Sequence, residues 1–157
     1  MIVRTRGQIV KWAIFGVNDQ KAHKDWTWQE VRPFQLRVTG PHTLDCSAFC
    51  IWTYWRAGAK DPSGLNFSGY GNTDSFFARG RHITQRQLKV GDLIVFGPGG
   101  SVHGVIVVQL GPDPLCSSMG QQGDPSLVRL SVLKGLGAPT FLRFSTINRR
   151  FHLPRKR

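Results

Sequence analysis

The sequence predicts an α+β domain in which helices come first and an antiparallel sheet follows. Three observations predict it. Residues 7–17, GQIVKWAIFGV, place Ile9, Val10, Ala13, Ile14 and Val17 on one helical face. Residues 45–57, DCSAFCIWTYWRA, are apolar nearly all round, the mark of a helix in the middle of a domain. From residue 93 onward the pattern changes to short β-type runs separated by Gly and Pro turns. Helices followed by a run of strands point to α+β architecture rather than alternating βαβ units.

The elements follow in order. After the first helix, a polar and aromatic-rich stretch runs to about residue 43. Trp26 and Trp28 within it suit either a core or the lining of a groove. The second helix has Asp45 available as its N-cap. Residues 58–81 are rich in Gly, Ser, Asn and Asp and read as a long loop with a short helix near Asp74 to Ala78. Strands are expected at Leu93 to Phe96, Val105 to Leu110, Leu115 to Ser118, Leu127 to Val132 and Thr140 to Phe144. The last dozen residues lack periodicity. The division is a domain over 1–146 and a basic tail over 147–157.

A length of 157 residues, 40% hydrophobic content and five tryptophans suit one folded domain with a sizeable core. No apolar run reaches the ~18 residues a membrane span needs. The start, MIVRTRGQIVKWAIFGVND, has no small-residue cleavage site and does not read as a secretory signal. Twenty-one Lys and Arg against nine Asp and Glu give a net charge of +12, which favours polyanionic partners. No nucleic-acid recognition module is recognisable, so specific nucleic-acid binding is not expected.

The three cysteines are too few for a disulfide framework. Cys46 and Cys50 lie one helical turn apart. Without a matching second pair, a metal site from Cys46, Cys50, Cys116 and a histidine is a weak reading.

Cys46 stands in the first turn of the second helix. Unpaired N–H groups there stabilise a thiolate, and equally the oxyanion of a tetrahedral intermediate. By itself the position also suits a small buried residue. A second stretch, KVGDLIVFGPGGSVHGVIVV at residues 89–108, supplies a base. GPGGS is a tight turn between two strands and puts His103 at the start of the second, with space around its ring. His23, His42 and His82 fall in expected loops and His152 in the tail.

Asp45-Cys46-Ser47 at a helix start, followed by Gly91-Asp92-Leu93 and then His103-Gly104-Val105, resembles the NlpC-type cysteine peptidases, a papain-like group of cell-wall hydrolases. The resemblance covers about residues 7 to 145. AGAKDPSGLNFSGYGNT also looks like a loop of bacteriophage members. The resemblance implies a papain-like NlpC-type fold with the nucleophile helix packed on an antiparallel sheet. It implies Cys46 as nucleophile, His103 as general base and acid, and support of the helix start by Asp45 and Ser47. It implies a peptidoglycan stem peptide as substrate and no metal or organic cofactor.

The family places a third polar residue on the strand after the histidine. The matching triplet here is Ser118-Met119-Gly120, and a thioether is a poor acceptor for an imidazole N–H. Gln121 is taken as the third member, with Met119, Gln122 and Ser118 as alternatives. The functional expectation is a phage-encoded peptidoglycan endopeptidase, acting from the virion tail beside other tail proteins. The alternatives are a free endolysin, made in the host cytoplasm and acting at lysis, and an inactive structural protein of the tail.

Overall fold

The computed structural model describes residues 2–120 and 125–145, with side chains from residue 5 onward. It contains α1 (Ile2–His23), β1 (Trp26–Trp28), β2 (His42–Leu44), α2 (Cys46–Arg56), α3 (Thr73–Arg79), β3 (Arg81–Ile83), β4 (Leu93–Phe96), β5 (His103–Gln109), β6 (Leu115–Met119), β7 (Pro125–Arg129) and β8 (Pro139–Arg143). Six strands form one antiparallel sheet in the order β3-β8-β4-β5-β6-β7. The α+β expectation is therefore met, with the nucleophile helix against the sheet.

Both faces of that sheet are covered, which explains why LIVF and VIVV read as continuous apolar runs rather than alternating ones. On one face Leu93, Val95, Ile106 and Met119 pack against Ile9 and Ala13 of α1 and Phe49 and Cys50 of α2. On the other, Ile94, Phe96, Val105, Val107 and Cys116 pack under Leu130 and Leu133. Those two leucines sit three apart on a 3-10 segment, Leu130–Leu136, where i and i+3 share a face. The expected strand over 127–132 therefore stops at Arg129, and its last residues turn inward as a helical cover.

The first helix extends beyond its apolar stripe at both ends. Near its start, buried Arg6 donates to Asp92 at 2.9 Å and to the Val90 carbonyl at 3.0 Å. Asp92 also pairs with Arg143 of β8 at 3.0 Å and accepts from the Lys89 N–H at 2.8 Å. The Gly-Asp-Leu motif thus joins α1, β4 and β8. Gly91 lies at φ +89°, a conformation that favours glycine. Its carbonyl accepts from the Tyr54 hydroxyl of α2 at 2.6 Å.

In α2, residues Ser47 to Tyr54 are all buried. Their polar groups find partners: Trp52 Nε1 donates to the Arg37 carbonyl at 2.7 Å and Thr53 Oγ1 to the Phe49 carbonyl at 2.9 Å. Such pairing lets these residues sit buried all round with their side-chain polar groups satisfied.

Several elements differ from the expectation. β1 and β2 form a short parallel pair, so His42 is in a strand rather than a loop. His82 lies in β3, which pairs with β8. The short helix expected near Asp74 to Ala78 is present, as Thr73–Arg79 capped by Asn72. No helix among the described residues is long and apolar enough to cross a membrane. The 147–157 tail, with its basic residues and His152, lies outside the described residues.

Candidate active site

Asp45 is the N-cap of α2. Its Oδ1 accepts from the Ala48 N–H at 2.8 Å and from the Ser47 hydroxyl at 2.9 Å. Arg32 braces the pair: Nη2 lies 2.9 Å from Asp45 Oδ2 and donates to Ser47 Oγ at 3.0 Å. Arg32 carried no signal in the sequence, since it sits in an irregular stretch and meets the helix only through the fold. The cap takes the third N–H of the helix and leaves those of Cys46 and Ser47 outside the helical ladder. Both bear on the Cys46 thiol, as does the N–H of Gly104 in β5.

Gly104 follows His103 directly, so its reach to the thiol brings the helix start beside the start of the histidine strand. Glycine keeps this approach close, since a Cβ would stand 2.9 Å from Thr73 Cγ2 of α3 and force a shift there. Cys46, His103, Ser118 and Trp28 line one groove of ≈ 720 Å³. The structure thus brings together the two residues that the sequence singled out.

The third position differs from the sequence alignment. His103 Nε2 lies 2.7 Å from Ser118 Oγ, with both residues buried. Met119 is fully buried on the opposite face of β6, in the core with α1 and α2. Neighbouring residues of a strand point to opposite faces, so the residue that meets the ring is 118 and not 119. Gln121 and Gln122 lie outside the described residues. With Nε2 donating to Ser118, Nδ1 is the nitrogen left with its lone pair.

Electrostatics here run against the expectation of an activated thiolate. Burial, and then the negative charge of Asp45, push the Cys46 thiol up to about 11, although the three N–H groups favour the charged form. Burial pushes the His103 imidazole down to about 4. Both shifts favour the neutral forms, a thiol and an uncharged imidazole, at pH 7. Cys50 and Cys116 are buried on opposite faces of the sheet. Among the described residues, no group of three His, Cys, Asp or Glu side chains is placed to hold a metal.

A helix-borne thiol and a strand-borne imidazole on one antiparallel sheet define the papain-like class of fold. The family model of NlpC/P60 matches residues 31–122, and the chain belongs to that family. Among solved structures, the peptidoglycan hydrolase RipB from Mycobacterium tuberculosis is 24% identical, with a TM-score of 0.54 over 88% of this chain and 65% of RipB. The NlpC/p60 domain of the peptidoglycan hydrolase SagA is 20% identical, with a TM-score of 0.56 over 88% of this chain and 98% of that domain. RipD from Mycobacterium tuberculosis, described as a non-catalytic NlpC/p60 domain protein adapted to peptidoglycan binding, is 20% identical. Its TM-score is 0.55 over 87% of this chain and 97% of RipD. The chain spans 65% and 62% of the first two structures matched, so it corresponds to part of their length. At these identities the likeness establishes the fold. No curated protein matches the chain.

Proposed function

We propose that this chain is a peptidoglycan hydrolase that cuts the stem peptide, with Cys46 as nucleophile, His103 as base and then acid, and Ser118 holding the ring. The observation that carries this reading is the shared groove: Cys46 at the helix start and His103 at the strand start line it together, with Nε2 engaged by Ser118.

In this reading His103 Nδ1 takes the thiol proton as the sulfur attacks the scissile carbonyl. The N–H groups of Cys46 and Ser47 stabilise the oxyanion. The imidazolium returns its proton to the leaving amine, and the acyl group stays on sulfur as a thioester. Neutral His103 then deprotonates a water, which releases the acid and restores the thiol. Because the resting pair is neutral, the ion pair forms within the catalytic step rather than before substrate arrives.

The biological setting we propose is a phage particle that opens the host wall locally; the support is the phage-like loop at residues 57–73. A free lysin would use the same site. A wall-binding protein of the virion without turnover is the competing reading, and RipD gives it substance as a non-catalytic member of this fold. Digestion of purified cell wall separates them. Release of stem-peptide fragments by the parent protein and not by Cys46→Ala supports hydrolysis. Wall binding by both proteins with no fragment from either supports the binding reading.

A further inference from the structure

The groove around Cys46 carries a chemical preference of its own. Among the described residues that line it, none is Asp, Glu, Lys or Arg. Its rim is aliphatic and open: Val132 is 72% exposed and Val102 50%, the first being the most exposed large hydrophobic residue described. Leu136, on the same 3-10 segment as Val132, and Trp28 of β1 also line it. An exposed apolar cluster continuous with a candidate catalytic pair marks a binding surface rather than chance exposure.

The cation that braces the helix start is held by other partners. Arg32 is committed to Asp45 and Ser47 through Nη2 and to the Val31 carbonyl through Nη1. His103, neutral at pH 7 through burial, adds none. Among the described residues, then, the groove offers an ionised group neutral donors such as the Ser118 and Ser126 hydroxyls and no cation. A carboxylate seated there gives up water against a largely aliphatic wall with no cation to offset its charge, which is costly. The corresponding carboxamide loses no charge.

Building on the hydrolase reading, we infer that the groove selects stem peptides in which the free carboxylate of D-glutamate is amidated. Discrimination arises as much from the penalty on the charged form as from attraction to the neutral one.

The test uses two synthetic peptides, L-Ala-γ-D-Glu-L-Lys-D-Ala and its counterpart with D-isoglutamine in place of D-glutamate, which differ by one carboxylate. Binding is measured by calorimetry to the full chain carrying Cys46→Ala, so that the result does not depend on turnover. The amidated peptide should bind at least ~10-fold more tightly, the low end of the cost of an unpaired polar group. In the double variant with Val132→Lys, an exposed position where folding is little affected, the preference should shrink or reverse. Equal binding of the two peptides, tighter binding of the carboxylate, or an unchanged ratio in the Val132→Lys protein overturns the inference. Hydrolysis by the parent is read separately: cleavage of both peptides at equal rates, with equal affinities, retains the hydrolase reading and removes this one. A clear binding preference with no cleavage of either does the reverse.

Discussion

His103 Nε2 and Ser118 Oγ stand 2.7 Å apart across neighbouring strands, both buried, in a chain whose aligned third position is occupied by a methionine. A hydroxyl on the preceding residue meets the ring because it lies on the ring's side of β6. Ser118→Ala should lower kcat by about 10- to 100-fold while leaving KM nearly unchanged, since the ring loses its orienting partner and keeps its identity. Met119→His should give no gain in rate, because that side chain faces the α1 and α2 core. Steady-state kinetics on a soluble stem peptide, with circular dichroism as a folding control, checks both. Full activity in Ser118→Ala places the orienting residue elsewhere.

Thiol reactivity gives a second prediction. With the Cys46 thiol at about 11, iodoacetamide should label it more slowly at pH 7 than it labels free cysteine, and the rate should climb until the pH approaches 11. Cys50 and Cys116, both buried, should label more slowly still. Asp45→Asn keeps an acceptor for the Ala48 N–H but removes the charge that disfavours the thiolate, so labelling should speed up. Mass-spectrometric labelling rates from pH 6 to 10 measure this. A slower Asp45→Asn protein contradicts the electrostatic account.

Asp92 should matter for stability rather than for chemistry. Its carboxylate holds Arg6 at 2.9 Å and Arg143 at 3.0 Å, and all three side chains are largely buried. Asp92→Asn leaves two cations without their counter-charge and should cost about 3–5 kcal/mol, the range for breaking a buried pair by removing one partner. Urea unfolding followed by tryptophan fluorescence reports it. A loss below ~1 kcal/mol would mean that solvent already satisfies these arginines.

Acid should destabilise the fold through its buried histidines. His103 has an ordinary value of 6.5 when unfolded and about 4 when folded, so between those pH values the unfolded state binds more protons. The stability contributed by neutral His103 is fully present above pH 6.5 and is lost as pH falls toward 4. Its size is on the order of 3 kcal/mol. Burial lowers His42 in the same direction. Urea midpoints at pH 7 and pH 4.5 should differ less in His103→Asn than in the parent; an undiminished difference would falsify this assignment.

Much of this architecture was legible in the residues, and the exceptions have identifiable causes. Asp45 as N-cap, the apolar α2, the LIVF strand and the glycine hairpin before His103 are local signals, and locally they were kept. The parallel β1–β2 pair was not legible, because two three-residue strands held by a distant register leave no periodic trace. β3 reads Arg-His-Ile and forms only because β8 offers its edge. Ser118 and Met119 could be told apart only by the face each occupies, which one residue of register reverses. The direction of the thiol shift required knowing how deeply α2 starts within the fold, since the helix end and burial act oppositely. Arg32 joins the site from an irregular segment, where spacing predicts nothing.

The central claim is that Cys46 carries the acyl group during turnover. The direct measurement mixes the protein with excess stem peptide, quenches it in acid within milliseconds to seconds, and maps the digest by mass spectrometry. An acyl adduct is expected on the Cys46 peptide; it decays as free acid appears and is absent in Cys46→Ala. Turnover of the same peptide by the Cys46→Ala protein at the parental rate, with no adduct on any cysteine, would contradict it.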